Sequence, residues 1–400
     1  MKRAGFHRFC VAAIVAAAAG AAAAQPVLIS VDGCMGALSA DGTTIVGQAG
    51  GRAFRWTSEG GMEDLGVLPG KTHSCAYGVN ADGTVIVGES NAAGGYSSRA
   101  FRWTPETGMQ NLGLIGTGGW ARAYGVTPDG SVVVGAGNAT PPNFDYAFFW
   151  RLGQGMRDLI GTQSGHHRAR RISADGSVAV GDDYWHAYRF LGNGVAQDLG
   201  TLPGHTSSTA TGISADGRVI VGSSSSSLSM SDERAFRWTE EGGMEDLGSL
   251  PGATRTSAWE VSADGSVIVG SSGGRAFMWT AETGMVDLNT HLAALGVDLT
   301  GWTLVSALGI SADHSVIAGN GVFNGQSRVW IVSGLGGTPC PADWNSDGQV
   351  NSADISAFLT TWIECVQSGA LDADFNQSGE VNSADISAFL TAWLEGVGGC

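Results

Sequence analysis

Two short segments near the C-terminus place oxygen-bearing residues in a pattern that could bind metal ions. Each has oxygen donors at positions 1, 3, 5, 9 and 12 of a twelve-residue stretch, with glycine at position 6. Oxygen ligands at this spacing suit Ca²⁺, and position 7 contributes its backbone carbonyl. Glycine at position 6 permits the sharp turn that the loop makes around the ion. We therefore predict two calcium ions, bound by Asp343, Asn345, Asp347, Gln349, Asn351 and Asp354 in the first segment and by Asp374, Asn376, Ser378, Glu380, Asn382 and Asp385 in the second.

Each segment leads into an apolar pattern typical of an amphipathic helix. Residues 351–362 and 382–393 differ at one position of twelve, which indicates an internal duplication. The segments resemble EF-hand loops, and the pair resembles a type I dockerin, a secreted module that binds cohesin domains. The resemblance covers residues 340–400 and implies a small all-α calcium-binding domain. The final Gly-Cys resembles a bacterial variant of the module, so a cohesin-like or another cell-surface receptor is expected.

The dockerin resemblance also implies which residues contact that receptor. In dockerins, loop positions 10 and 11 face the cohesin, and here these are Ser352, Ala353, Ser383 and Ala384. Both loops end in aspartate where sensor EF-hands have glutamate, and Ser378 removes one charge from the second loop. We expect the second loop to be the weaker calcium site.

The chain in front of this module follows a repeat. An Asp-Gly turn pattern recurs with its aspartate at positions 41, 82, 129, 175, 216, 264 and 313, and His314 replaces the glycine in the last copy. Each copy continues into an aromatic strand pattern, and six of the seven close with a version of Gly-Met-Glu-Asp-Leu-Gly at 61–66. Four strands in about 40 to 50 residues match a propeller blade. We predict an all-β seven-bladed β-propeller over residues 25–333, a linker over 334–339 and the small module over 340–400.

The ends of the repeat region predict how the ring closes. The seventh unit lacks the last strand of the pattern, and residues 25–30 form an unmatched strand before the first unit. We expect this N-terminal strand to complete the seventh blade. An open solenoid is the alternative, and it would leave the terminal units without caps.

The aromatic pattern followed by Gly-Met-x-Asp-Leu-Gly resembles the HAF family of bacterial extracellular repeats over about residues 30–333. This resemblance implies secretion and a β-propeller, and it brings no established catalytic residues. Residues 1–24 support export, because basic residues precede an apolar run and a small-residue stretch, as in a signal peptide. We expect a secreted or cell-surface protein with no membrane span after signal removal.

Charge limits the choice of partners. Without residues 1–24 the chain carries 18 basic and 37 acidic side chains, a formal charge of −19, and it contains no basic run. Nucleic acid is therefore excluded as a partner. Yet loops expected near the central channel hold a group of basic residues that could bind an anionic glycan or a protein: Lys71, His73, Arg122, His166, His167, Arg168, His205 and Arg255. The alternative, which we favour for these residues, is that they are ordinary solvated loop residues or are paired with neighbouring acids.

Two functions from different classes fit these patterns. The first is a non-enzymatic propeller that binds a protein or glycan and is anchored through its calcium-dependent tail. The second is a polysaccharide lyase or glycoside hydrolase with its site at the channel mouth. We favour the first, because zinc-protease, serine-hydrolase, phosphate-loop and CxxC motifs are all absent from the sequence.

Five cysteines follow the signal peptide. Cys34 and Cys75 each lie seven residues before a repeat aspartate, so they occupy equivalent places on adjacent blades and are expected to form a disulfide. Because dockerin termini lie together, the resemblance also implies a Cys340–Cys400 disulfide, which leaves Cys365 unpaired. Cys365 with either of these two is the alternative.

Overall fold

The computed structural model describes residues 27–92, 97–116, 118–139, 144–159, 166–192, 194–226, 232–335, 344, 352–368, 373–375 and 381–396. The repeat region forms seven four-stranded antiparallel sheets, which confirms the predicted seven-bladed propeller. Strands pair in chain order within each of the first six blades. Blades 1 to 3 comprise β2 Cys34–Leu38, β3 Thr44–Ala49, β4 Arg52–Thr57, β5 Gly61–Asp64; β6 His73–Val79, β7 Ile86–Asn91, β8 Arg99–Thr104, β9 Gly108–Asn111; and β10 Ala121–Val126, β11 Val132–Ala139, β12 Phe144–Arg151, β13 Gly155–Asp158.

The remaining blades follow the same plan, except that the seventh takes one strand from the N-terminus. Blades 4 to 6 comprise β14 Arg168–Ile172, β15 Val178–Asp182, β16 Ala187–Leu191, β17 Ala196–Asp198; β18 Ser207–Ile213, β19 Ile220–Ser225, β20 Arg234–Thr239, β21 Gly243–Asp246; and β22 Thr256–Val261, β23 Val267–Ser272, β24 Arg275–Thr280, β25 Gly284–Asp287. Blade 7 comprises β1 Val27–Asp32, β26 Trp302–Ile310, β27 Val316–Phe323 and β28 Gln326–Ser333. A short helix, α1 Leu288–Ala294, connects blades 6 and 7.

The repeat aspartate builds the tight turn between the first two strands of each blade. In blade 3, Asp129 Oδ1 accepts hydrogen bonds from Thr127 Oγ1 at 2.5 Å and from the Ser131 backbone N–H at 3.0 Å. The residue after the repeat aspartate has a positive φ: 69° at Gly130 in blade 3 and 62° at His314 in blade 7. The predicted positive-φ turn is therefore confirmed, including at the residue that departs from glycine.

Glycine in these turns also lets adjacent blades approach each other. A Cβ atom at Gly130 would lie 2.5 Å from Val85 Cγ2 of the preceding blade. In the turn of blade 2, the Ala81 N–H donates to Pro128 O of the blade 3 turn at 3.2 Å, which joins the two blades through their backbones. Neighbouring blades are thus held together at their turns as well as through their side chains.

The ring closes as predicted. Strand β1 pairs antiparallel with β28, from Val27 opposite Ser333 to Asp32 opposite Arg328. Residues 25 and 26 of the predicted strand lie outside the described residues. Blade 1 also contacts blade 7 directly, because the Met35 N–H donates to Asn320 Oδ1 at 2.9 Å. These contacts exclude the open solenoid.

Aromatic and aliphatic side chains fill the spaces between blades. One cluster joins Val46 and Leu65 of blade 1 to Ile86, Phe101 and Trp103 of blade 2. Six blades contribute a fully buried phenylalanine from the third strand, and Trp330 takes this place in blade 7. The aromatic stripes are therefore sheet core.

Two helices follow the propeller in sequence, α2 Ser352–Ser368 and α3 Ser383–Gly396. The duplicated positions pack against each other: Phe358 and Phe389 are fully buried and stack with ring centroids 4.2 Å apart. Within the described ranges, no helix is long and apolar enough to cross a membrane. Most of the predicted calcium ligands, namely Asp343, Asn345, Asp347, Gln349, Asn351, Asn376, Ser378 and Glu380, lie outside those ranges, as do Cys340 and Cys400.

The closing strand yields a direct stability test. Val31 is 4% exposed and packs in a cluster with Met35, Phe54 and Val316. We expect Val31→Asp to destabilise the propeller by about 3 kcal/mol, because it buries an unpaired carboxylate. Ser30→Asp, on the exposed face of the same strand, should leave the melting temperature unchanged. Equal melting temperatures for the two variants by calorimetry would show that β1 does not complete the blade.

Candidate ligand-binding site at the channel mouth

The first strands of the blades line the central channel. Consecutive first strands contact each other around the whole ring, from β2 and β6 through to β26 and β2. The approach is close, since a Cβ at Gly125 of β10 would lie 2.9 Å from Arg170 O of β14. The repeat-aspartate turns stand at one end of the channel. We call the other end, where the first strands begin, the mouth.

The register shifts in the first strand of each of the first six blades, and in blades 2 to 6 this bulge turns one side chain out of the regular pairing. The register shifts occur on either side of Tyr77, Tyr124, Arg170 and Trp259, among others. Bulges of this kind re-aim side chains and recur beside binding sites. Tyr77 and Tyr124 meet with ring centroids 5.5 Å apart, so the channel wall between blades 2 and 3 is aromatic.

All eight predicted rim residues lie at the mouth, but three are not in loops. Lys71, His166, His167, His205 and Arg255 precede first strands, whereas His73, Arg122 and Arg168 belong to β6, β10 and β14 themselves. The error arose because the strands begin earlier than the repeat pattern indicates. Residues already inside the pleat are more constrained than loop residues, which favours a preformed site.

Several of these basic groups are neutralised by acids from other strands. Arg255 Nη2 lies 3.4 Å from Glu233 Oε2. Arg168 Nε lies 3.8 Å from Asp182 and 3.9 Å from Asp145, and the neighbouring Arg170 bonds to Asp182 at 2.7 Å. Pairing with acids, the alternative favoured from the sequence, therefore describes Arg168 and Arg255. The acids come from other parts of the blades: Asp182 lies in β15, Asp145 lies in β12, and Glu233 directly precedes β20.

The histidines at the mouth mostly pack or share hydrogen bonds with neutral groups. His167 packs edge-on against Tyr188 and Phe190, and burial lowers the pKa of His167, which favours its neutral form. His205 Nδ1 lies 3.1 Å from Ser224 Oγ, and His73 Nδ1 lies 2.8 Å from Thr72 Oγ1. His167 therefore adds little positive charge at neutral pH.

A cluster of cations between blades 2 and 3 is less fully paired with carboxylates than the arginines of blades 4 and 6. Lys71 Nζ donates to Ser97 O at 2.6 Å, and Arg99 Nη1 donates to Gly119 O at 2.8 Å. Within the part of the chain that the structure describes, neither group pairs with a carboxylate. Burial and the charge of Arg99 lower the pKa of Lys71, as expected for cations held side by side.

Arg122 completes this cationic cluster. Its Nε lies 2.7 Å from Glu89 Oε2, and its guanidinium stands 5.3 Å from the centroid of Trp120. Glu89 is buried and also accepts hydrogen bonds from the Tyr77 and Ser98 hydroxyls. Of the three cations in this cluster, only Arg122 pairs with a carboxylate among the described residues, and it also lies beside an aromatic ring.

Arg99 was missed by sequence reasoning because arginine recurs at its position. In two other blades the equivalent arginine pairs with the aspartate of the last strand: Arg52 with Asp64 at 3.8 Å and Arg275 with Asp287 at 3.0 Å. Blade 2 has Asn111 in place of that aspartate. The missing carboxylate is the sequence signal that could have identified Arg99.

An ion pair joins the first strands of blades 4 and 6. Four blades hold glycine at the position that Arg171 occupies in blade 4 and Glu260 in blade 6. Arg171 Nε bonds to Glu260 Oε2 at 3.0 Å, and its Nη1 lies 3.3 Å from Tyr124 O of blade 3. Burial raises the pKa of Glu260, and Arg171 opposes this shift. The pair ties three blades together across the channel.

The predicted bridge between Cys34 and Cys75 is absent from the structure, where both are free thiols. Cys75 Sγ lies 3.8 Å from Ala76 O of its own strand, and burial raises the pKa of Cys75 to about 11. Cys365 is a buried free thiol in α2. Oxidation of the first pair after export stays a prediction.

The tail places parts of both predicted calcium loops at its helix starts. Asp354 and Asp385, at position 12 of each loop, are fully buried carboxyl groups, and residues 340–400 hold nine acids and no base. Asp385 Oδ2 accepts a hydrogen bond from the Asn382 N–H at 2.8 Å. Ser352, Ser383 and Ala384 are exposed at the helix starts, and Ala353 lies beside Ser352. Among the described residues, no three or more histidine, cysteine, aspartate or glutamate side chains lie close enough together to hold a metal ion.

No protein-family model and no curated protein matches this sequence. Solved structures match the fold: oligogalacturonate lyase from Vibrio parahaemolyticus at 11% identity and a TM-score of 0.52, over 76% of this chain and 91% of that one. Oligogalacturonate lyase in complex with manganese gives 0.53 at 11% identity, over 76% and 90%. A putative TolB from Agrobacterium tumefaciens gives 0.43 at 16% identity, over 56% and 80%. At these identities the likeness shows the fold alone.

The channel ion pair predicts a pH-dependent stability. Arg171→Gln should cost about 2 kcal/mol near pH 7.5, because it removes the cation that opposes the effect of burial on the Glu260 carboxyl group. When the pKa of an acid is higher in the folded than in the unfolded protein, that acid favours folding at low pH and this effect is lost as the pH rises through the folded pKa. The loss of stability caused by Arg171→Gln should therefore be smaller near pH 5 than near pH 7.5. Melting temperatures at the two pH values check this. Adding Glu260→Gln should restore stability and remove the pH dependence; a deficit equal at both pH values would contradict the assignment.

Proposed function

We propose that this protein is a secreted, non-enzymatic propeller that binds an acidic glycan at its channel mouth and is retained through a calcium-binding tail. The observation that carries the proposal is the cationic cluster of Lys71, Arg99 and Arg122, which a single buried carboxylate, Glu89, offsets. Guanidinium and ammonium groups donate charge-assisted hydrogen bonds to carboxylate and sulfate groups. A ligand carrying such groups would supply the missing counter-charge.

The overall charge makes this local cluster selective. A body with a formal charge of −19 after signal removal repels polyanions at long range. Salt screens such repulsion beyond about 8 Å at physiological ionic strength. Close contacts at the mouth can therefore attract an anion that the rest of the surface does not. Trp120, partly exposed beside Arg122, offers an apolar face of the kind that packs against a sugar ring.

The enzymatic alternative finds less support at this site. Glu89 and Asp182, which could serve as acids or bases, bond to Arg122 and Arg170 at 2.7 Å. Burial and a hydrogen bond to Asp145 raise the pKa of Tyr184 to about 12, so its phenol stays protonated at neutral pH. A lyase or hydrolase would release unsaturated or reducing sugar from a polyuronate, and that assay separates the two functions.

Calcium belongs to the proposal through the tail. Two fully buried carboxylates in a segment without bases fit a divalent cation, which would neutralise charge that no side chain of residues 340–400 can. The twelve predicted ligands would hold two ions, and binding would order both helix starts. The exposed helix-start residues would then face a cohesin-like or cell-surface receptor.

Glycan binding is tested by changing charge without changing shape. Asn111→Asp restores the carboxylate that other blades place beside this arginine, and it keeps the turn, because Asn111 Oδ1 already accepts the Gly113 N–H at 2.9 Å. We expect about tenfold weaker binding of polygalacturonate by calorimetry, and a similar loss for Arg99→Gln. Methyl-esterified polygalacturonate should bind wild type about as weakly as polygalacturonate binds these two variants.

The matched control is Arg218→Gln, which removes an exposed arginine that pairs with Asp216 at the turn end of the channel. It should bind as wild type does. Equal polygalacturonate affinity for wild type, Asn111→Asp and Arg99→Gln would refute the proposed site. Release of unsaturated sugar by the wild type would favour the lyase.

Calcium binding is tested on the full chain. Calorimetric titration should show two sites, and Asp343→Ala with Asp354→Ala should remove the stronger, while Ser378→Asp should tighten the weaker one. Chelator should expose the tail to protease and leave the propeller intact, because binding and folding of the tail are linked. Uptake of no calcium, or a tail equally resistant in chelator, would contradict this part of the proposal.

A further inference from the structure

The second hairpin of blade 4 contains a strained residue. Three residues other than glycine have positive φ among those described: His314 and Asn324, of types that tolerate it, and Tyr184 at 80°. A residue held in such a region is strained and persists only where its surroundings impose the conformation. Blades 1 and 6 place glycine pairs at the corresponding turns, at 50–51 and 273–274.

Contacts from three directions impose this conformation on Tyr184. The Arg168 guanidinium lies 3.7 Å from the centroid of its ring, and His166 meets the ring edge-on at 5.1 Å. The Tyr184 hydroxyl donates a hydrogen bond to Asp145 of blade 3. The side chain therefore bridges blades 3 and 4 at the mouth and fixes the hairpin.

The consequence of this strain is the position of Trp185. Asp183 Oδ1 accepts the Trp185 N–H at 2.9 Å, and the Ser208 N–H of blade 5 donates to Trp185 O at 2.7 Å. The backbone is thus held on both sides, while the indole is 55% exposed. It makes no aromatic ring contact within the described part of the chain. Strained backbone conformations cluster at ligand-binding sites, and here the strain fixes the hairpin that holds an exposed aromatic side chain at the mouth.

We propose that Trp185 is a sugar-stacking platform that extends the glycan site of blades 2 and 3 onto blade 4, so that the ligand is an oligouronate spanning three blades. This rests on the proposed function. An indole face packs against the C–H face of a sugar ring, and Trp exposes a large rigid area for this purpose. Arg170, 32% exposed along its side chain, lies on β14 between the cationic cluster and the hairpin.

The arrangement predicts a dependence on ligand length. A single uronate reaches only the cationic cluster, whereas a longer chain places one ring on Trp185 as well. The second contact is then intramolecular, and its effective concentration strengthens overall binding without any new charge. Affinity for wild type should therefore rise steeply at the length that reaches blade 4.

The experiment titrates galacturonate oligomers of increasing length into the full chain by calorimetry. In Trp185→Ala, affinity for the shortest oligomers should match wild type, and the gain with length should fall by about tenfold. Trp185→Phe should keep most of the gain. Leu152→Ala, which truncates another exposed apolar side chain at a different turn, serves as the control and should bind as wild type does.

The two proposals fail differently. An unchanged length dependence in Trp185→Ala, or affinity that does not rise with length in wild type, overturns the platform while leaving the cationic cluster in place. Loss in Trp185→Ala together with normal binding by Arg99→Gln overturns the cationic site and keeps the platform. Absence of binding to every oligomer overturns both.

Discussion

The pairing of β1 with β28 is the constraint on which the rest of the structure depends. Seven similar sheets arranged side by side form an open array unless the last is joined to the first, and here six backbone-paired residues make that join. Closure brings the seven first strands into one ring and creates the channel that they line. The mouth therefore exists only because the N-terminal strand returns to the seventh blade.

Closure also explains why small departures from the repeat have large effects. Glycine is required where first strands approach to van der Waals distance, as at Gly125 beside Arg170 O. Where Arg171 and Glu260 replace it, the side chains have nowhere to lie but across the channel, and they satisfy each other there. A repeat of identical blades would form a symmetric channel, and these two residues make it asymmetric.

The sequence was sufficient for features that depend on local chemistry and repetition. The Asp-Gly turns, the blade count, the closing strand and the helices of the tail follow from residues close together in the chain. The sequence could not show which rim residues are paired with acids, because those acids are remote in the chain. Glu89 contacts Arg122 from another blade, and Asp182 and Asp145 reach Arg168 from a second and a third strand. Spacing along the chain identifies which residues reach the mouth but not which of them are neutralised.

The candidate site lies where the chain departs from its own consensus. Asn111 removes a carboxylate that the repeat would supply, and Arg99 is left with carbonyl partners alone. Tyr184 and Trp185 stand where other blades use glycine, at a cost in backbone strain. The Tyr184 hydroxyl joins blades 3 and 4, whereas the exposed Trp185 side chain adds no buried apolar contact between blades. The grouping of these departures on the mouth of three adjacent blades is therefore best explained by a ligand that spans those blades.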